Sequence, residues 1–410
     1  MTRLSPLCAS IGAMAGGFFG WRVVAAAFAL AAYAWGIGFY GPGLWLLALT
    51  EGRGWSVGTV SAAITLHFLA SAAIVSRLPR LHDRFGPVAV TRAGIVLAAA
   101  GAAAWAFAAA PWQLAPAALL TAAGWAVTGG AAINALISRW FDRARPAALA
   151  MAYNGASMGG ILFAPLWTAL IAGLGFPAAA LLIGAGGILL LWPLAGRYFG
   201  PDPAAMGQHP DGAPTAPPPR PVAAPAGALR SQPGFRSLTI AFALGMVAQM
   251  GLLSQLASLL APALGVRGAG LALSLATICA VVGRTAVGWL LPPGADRRRA
   301  AVLNFAVQAA GSLCLVAAGG DGAALALLAC ALFGLGLGNL LSLPPLIVQA
   351  EWPPAQVGAV VAALSAVTQA CYAFAPAIFG LLREAAGDAP VAPAALLLQL
   401  LAAAMVLRRR

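Results

Sequence analysis

The chain has 410 residues, 61% hydrophobic and only 8% charged, with a formal net charge of +13. A mean hydropathy of +0.89 excludes a water-soluble fold of this size and marks a polytopic membrane protein. All 23 basic residues are arginine, set mostly in short loops and at the C-terminus, so the charge speaks to membrane orientation and not to nucleic acid.

Residues 1–21 carry no convincing signal-peptide pattern and are expected to be a cytoplasmic tail. Apolar segments long enough to span a bilayer follow at about 22–48, 57–78, 88–109, 113–138, 146–172 and 177–199. Residues 200–235 hold ten prolines and predict an extended cytoplasmic linker with little to bury. Six more spans follow at about 236–264, 269–292, 300–319, 322–349, 355–382 and 391–407, leaving 408–410 as a C-terminus. The expected fold is an all-α membrane protein with twelve transmembrane helices in two pseudo-symmetric six-helix bundles, 22–199 and 236–407. With both termini inside, nineteen arginines fall on the cytoplasmic side against three outside (Arg53, Arg267, Arg383), with Arg284 in mid-span. That asymmetry predicts a cell inner-membrane protein with cytoplasmic termini.

The halves repeat. Trp140 precedes Pro165 by 25 residues, and Trp352 precedes Pro376 by 24. Asp83, after the second span, is matched by Asp296 after the eighth. Duplicated halves meet along a seam, where a substrate site forms.

The loop Arg77–Gly86 contains Asp83, Arg84 and Gly86 in the order of Gly-x-x-x-Asp-Arg-x-Gly, with Pro79 in place of the leading glycine. With the two-half layout, it resembles the signature loop of the major facilitator superfamily. A carboxylate there can lie against the positive start of span eleven, after Pro353-Pro354, and latch the cytoplasmic side shut. Asp83, Arg84, Gly86 and Asp296 are the expected latch residues. Further motifs resemble the monocarboxylate and oxalate/formate group: Gly20-Trp21-Arg22-Val23-Val24, Phe39-Tyr40-Gly41, Gly54-Trp55-Ser56, Arg139-Trp140-Phe141 with Arg143 and Arg145, and Gly155, Gly159 and Gly160. Gly283-Arg284, four residues before Gly288, resembles that group's eighth helix, where an arginine binds the substrate carboxylate. The chain departs from the proton-coupled members in having Ala280 where they carry an aspartate, and no lysine. It also lacks the second cation that dicarboxylate exchangers carry in span eleven. One fixed charge favours a monoanion.

Arg284 stands on its own as a candidate. It shares a helical face with Ser274, Thr277, Val281 and Gly288, a small and polar stripe on an oily helix. Twelve residues before Asp296, it lies roughly 18 Å from the cytoplasmic end. An arginine at that depth faces a partner, a cavity or a substrate; the competing reading is a structural arginine on backbone carbonyls. His67, with Ser71 on its face, is either a proton carrier or a neutral histidine bonded across helices. Span eleven carries Ser365, Gln369 and Tyr372 on one stripe, span four carries Asn134, span one Tyr33 and Tyr40, and span seven Gln249. Each is a cavity-lining candidate and equally an ordinary interhelical hydrogen bonder.

The expected function is secondary transport of a small organic monoanion by alternating access, as an exchanger or proton symporter. The alternative is transport of another amphiphilic metabolite or drug, with Arg284 structural. The five cysteines and three histidines lack metal-ligand spacing, so no metal or cofactor is expected. No acid or histidine cluster suggests an enzyme, and the two-fold repeat argues against a channel. The expected partners are the substrate, protons and membrane lipid, with no nucleic acid, and the expected state is a monomer.

Overall fold

The computed structural model describes residues 17–213, 232–290, 295–319 and 322–408. Parts of the expected tail (1–16), linker (214–231) and C-terminus (409–410) lie outside the described residues, as does Cys8. Among the described residues, ten helical stretches are long and apolar enough to cross a membrane. One of them, Gly234–Val287, has 54 residues, about 80 Å of helix and far more than one bilayer core needs. It turns at Gly265 (φ 69°, ψ 168°), a backbone region open essentially to glycine alone, and so supplies two crossings. Val391–Leu407, at 17 residues, supplies the last. The result is the expected architecture of twelve crossings in two six-helix halves.

The helices are α1 (Gly20–Gly38), α2 (Gly41–Arg53), α3 (Val57–Val75), α4 (Leu78–Phe107), α5 (Leu114–Thr128), α6 (Gly130–Ser138), α7 (Arg145–Leu174) and α8 (Phe176–Tyr198) in the first half. The second half has α9 (Pro233–Leu290), α10 (Arg297–Ala318), α11 (Ala323–Leu337), α12 (Asn339–Glu351), α13 (Pro354–Tyr372), α14 (Ala375–Ala386) and α15 (Val391–Leu407). Four crossings that read as single spans in the sequence are broken. The first breaks at Phe39-Tyr40 and the fourth at Gly129. The tenth breaks at Gly338 and the eleventh at Ala373-Phe374. Each break is followed within three residues by a proline in the next helix's first turn, or coincides with a glycine, where helix is weakest.

Side chains sort as they do in lipid. Leucines such as Leu189, 77% exposed, face outward, while small residues line the helix contacts. A Cβ on Gly159 would meet the Ala32 carbonyl oxygen at 2.5 Å, so α7 and α1 approach backbone to backbone. Between the halves, Gln255 Nε2 donates to Ser61 Oγ (3.0 Å), Ser274 Oγ to the Ile161 carbonyl (2.9 Å) and the Ala377 amide to Thr65 Oγ1 (2.9 Å). The last satisfies an orphan amide in the first turn of α14. Phe68 meets Tyr372 edge-on, with centroids 6.2 Å apart. These bonds gather in the arginine-poor part of the seam. At the arginine-rich end, Arg139 bonds to the Phe199 carbonyl and Arg298 to Glu351, each within its own half.

The linker begins differently from its sequence expectation. Residues 200–213 are not extended; they form two short 3₁₀ turns, Ala204–Met206 and Pro210–Gly212, docked on the first half. Gln208 accepts from the Phe19 amide (3.1 Å) and donates to the Gly17 carbonyl (3.2 Å). The Asp211 carboxylate accepts from three consecutive amides, Asp142 (3.0 Å), Arg143 (2.7 Å) and Ala144 (3.1 Å). Asp211 holds φ 62°, the one positive value at a non-glycine among the described residues, and its carboxylate bonds offset that strain. Arg139 Nη2 pairs with Asp202 Oδ2 at 2.9 Å, and this bond holds the Asp202 carboxyl below the usual carboxylate range. Removing the Asp211 carboxylate in Asp211→Ala is expected to cost about 1–3 kcal/mol of local stability. The readout is faster hydrogen exchange at amides 142–144, and unchanged exchange there contradicts the strap.

Candidate substrate site at the seam

Arg284 is placed by glycines. Gly283 lies flush on the Leu335 backbone of α11, and a Cβ on Gly334 would meet Ala276 Cα at 2.7 Å. This contact brings the second leg of α9 against crossing ten at its break. Breaking a helix frees carbonyls, and Arg284 Nε donates to one of them, Gly338 O, at 3.3 Å. The residue is half-buried, and no described carboxylate lies within ion-pair distance of it.

Two turns along the same helix, Thr277 faces the first half. The Tyr40 ring, at the break of crossing one, lies beside the Thr277 side chain across Gly160 and in the field of Arg284. Gly160 on α7 completes the contact: a Cβ there would meet Thr277 Oγ1 at 2.5 Å and Tyr40 Cζ at 2.6 Å. Only glycine lets the halves close this tightly. Gly160→Val is therefore expected to loosen this contact between the halves. The check is faster thiol labelling of Ser61→Cys in the Gly160→Val background; unchanged labelling would show that the contact does not hold the seam.

Between crossings seven, ten and eleven the second half has a cleft of about 120 Å³ whose lining includes Gln369, Tyr372, Ser365, Thr368, Phe242 and Met246. The first half presents a chain of rings. Phe39 lies 5.1 Å from Tyr40, Trp125 6.4 Å from Phe39, Trp35 4.7 Å from Trp125, and Tyr153 6.0 Å from Trp35. The arrangement offers one guanidinium, neutral hydroxyls and amides, and aromatic walls, which suits a small amphiphile bearing one negative charge.

Of the candidates read from the sequence, Arg284 and Tyr40 come together, and Gln369 and Tyr372 share the cleft. The others go elsewhere. His67 is fully buried inside the first half, with Nε2 3.0 Å from the Gly38 carbonyl and Nδ1 3.0 Å from Thr121 Oγ1. A carbonyl only accepts, so Nε2 carries the proton and His67 ties three crossings together. Gln249 is buried against Gln308, which donates to it at 3.2 Å. Asn134 accepts from Arg145 Nη2 at 2.7 Å, near the arginine-rich end. Asp83 is exposed, and no hydrogen bond joins it to the start of α13 among the described residues. The Arg84 guanidinium stacks on Phe85, 5.0 Å from the ring centre. Gly86 (φ 74°, ψ 157°) turns the chain into the third crossing. Asp296 caps α10 by accepting from the Arg298 amide at 3.0 Å.

Three groups escape sequence reading. Arg298, 1% exposed, donates to both Glu351 oxygens (2.6 and 2.7 Å), to Ser237 Oγ (3.1 Å) and to the Val406 and Gly234 carbonyls (2.9 and 3.2 Å). It clamps four helix ends of the second half. Asn339 donates to Asn304 Oδ1 (3.0 Å), and Asn304 to the Gly336 carbonyl (3.2 Å), so these amides pin the break that holds Arg284. At the opposite end Arg383 reaches Ser258 and Asp388. The usable signals are the Gly336-x-Gly338-Asn339 pattern and an acid, Glu351, ending an apolar helix.

A family model described as Major Facilitator Superfamily matches residues 25–376. No curated protein matches the sequence. The fold is similar to that of the nucleoside transporter NupG, with a TM-score of 0.70 and 14% identity over 95% of this chain and 97% of that one. It is also similar to a bacterial homologue of the human lysosomal transporter Spinster in an inward-facing, unoccupied conformation, with a TM-score of 0.68 and 15% identity over 95% of each chain. The same homologue in its occupied form gives 0.64 and 16% identity over 93% of each chain.

Proposed function

The chain belongs to the Major Facilitator Superfamily, and from that premise we propose that this secondary transporter carries a small organic monoanion, monocarboxylate-like, by alternating access. The observation that carries the proposal is Arg284: a half-buried guanidinium at the seam, with no carboxylate partner among the described residues. A fixed charge at membrane depth is costly unless a counter-charge meets it, and a carboxylate substrate is that counter-charge. The Tyr40 and Thr277 hydroxyls supply hydrogen bonds beside it, and the ring chain and the cleft hold the organic part.

The arginine distribution supports an orientation with the arginine-rich end cytoplasmic, in the cell inner membrane with cytoplasmic termini. In this reading the exposed Asp83 meets the start of α13 when the cytoplasmic side closes and leaves it when that side opens. Both ring nitrogens of His67 are engaged in the core of the first half, which favours anion exchange over proton symport through that residue. The functional unit is taken as the monomer, since each chain carries its own seam.

A second reading has one observation in its favour. Arg284 already spends Nε on Gly338 O, as a structural arginine would, and the cargo is then a neutral metabolite or drug. Counterflow in proteoliposomes separates the two. Vesicles preloaded with unlabelled monocarboxylate are expected to accelerate uptake of the labelled anion. Acceleration by neutral amphiphiles alone supports the second reading and overturns the first.

A further inference from the structure

On the lipid-facing side of the first half, α4 and α8 leave an open groove of about 740 Å³, lined by Phe85, Val88, Ala89, Val96, Trp192 and one charged residue, Arg92. Val88, Ala89, Arg92 and Val96 recur at helical spacing, so they form one stripe along α4. Arg92 lies six residues past the turn at Gly86, about 9 Å along the helix. A residue that close to the end of a crossing falls near the level where headgroups meet acyl chains. Trp192, 43% exposed, and Phe85, 55% exposed, mark the same boundary, since interfacial aromatic rings collect at headgroup level.

Arg92 is fixed and only partly used. Its Nε donates to the Trp192 carbonyl at 3.2 Å, and its guanidinium stacks on the Trp192 ring, 4.6 Å from the centre. One Nη rests over Gly196, which has no side chain to cover it. No described carboxylate lies within ion-pair distance. Arg84, stacked on Phe85, adds a second cation at the mouth of the groove.

We infer that this groove is a binding site for one anionic phospholipid. The phosphate sits on Arg92 beside Arg84, and an acyl chain lies along the Val88–Leu97 stripe. Guanidinium recognises phosphate through paired N–H donors, and the apolar stripe takes the chain. A zwitterionic lipid brings its ammonium group toward two arginines, so the anionic class is preferred. The site is separate from the seam and does not depend on the nature of the cargo.

Native mass spectrometry of the full-length protein, titrated with phosphatidylglycerol or phosphatidylcholine, tests this. Wild type is expected to retain phosphatidylglycerol in preference, and Arg92→Gln to lose roughly fivefold in that preference, the worth of one arginine near an anionic surface. Ala93→Trp fills the groove while keeping Arg92, so it too is expected to lower phosphatidylglycerol retention. Arg143→Gln, at the same end but outside the groove, is expected to leave it unchanged. Equal retention by wild type, Arg92→Gln and Ala93→Trp overturns the site. So does an equal loss in Arg143→Gln, which reveals only general attraction to a basic surface.

Discussion

Arg284→Gln is expected to abolish transport of the anion while leaving the fold intact. A charge pair in a partly desolvated site loses about 2–5 kcal/mol when one partner is truncated, which is roughly 30- to several-thousand-fold in affinity. Uptake below saturation falls accordingly. Glutamine suits the test because its amide can still donate to Gly338 O, the bond Arg284 Nε makes at 3.3 Å. The helix break at Gly338 is therefore kept, and only the charge is lost. Arg284→Lys is expected to keep part of the activity, since it retains a point charge without the planar fork. If Arg284 only braces the break, Gln transports as well as wild type. Uptake per folded molecule, normalised by size-exclusion profile, distinguishes the outcomes.

The second large effect lies in the clamp at Arg298, and its two partners are expected to behave unequally. Arg298 is 1% exposed at its side chain and Glu351 is 31% exposed. Glu351→Ala leaves a buried guanidinium with three neutral acceptors and no counter-charge, a loss of about 3–5 kcal/mol. Arg298→Met removes the buried charge and keeps much of its volume. Glu351 then reaches solvent, so the loss is smaller, because apolar replacement of buried ion pairs is often close to neutral. Thermal unfolding in detergent is expected to rank Glu351→Ala well below Arg298→Met. The reverse order means that the guanidinium's bonds to Ser237, Val406 and Gly234 carry the clamp without Glu351. Neither residue touches the seam, so transport per folded molecule is expected to survive in Arg298→Met.

Much of the fold is legible in the sequence because lipid imposes a simple rule. Every crossing must be an apolar helix about 20 residues long. The proline-rich stretch then divides twelve such helices into two sixes. The breaks at Phe39, Gly129, Gly338 and Ala373 escape that rule, because the apolar pattern runs straight through them. Yet they matter most for the site, since Tyr40 and Gly338 O both sit at breaks. Arg284 stands out in sequence because nothing else charged lies mid-span. His67, Gln249 and Asn134 do not sort themselves there, since a polar side chain on an oily helix reads the same whether it meets a cavity or a neighbouring helix. Their partners Gly38, Gln308 and Arg145 are set by packing between helices. Arg298 reads as a loop charge because it is the middle of three consecutive arginines. Asp211 reads as linker because prolines surround it, although its carboxylate organises the loop before α7.

The most direct measurement is equilibrium binding of a labelled monocarboxylate to the purified protein by scintillation proximity, with wild type and Arg284→Gln side by side and an unlabelled neutral amphiphile as competitor. Saturable binding to wild type, lost in Arg284→Gln and undisturbed by the neutral amphiphile, is the predicted result. Absence of saturable monocarboxylate binding to folded wild type, or equal binding in Arg284→Gln, would contradict anion carriage through Arg284 and leave it as a brace for the helix break.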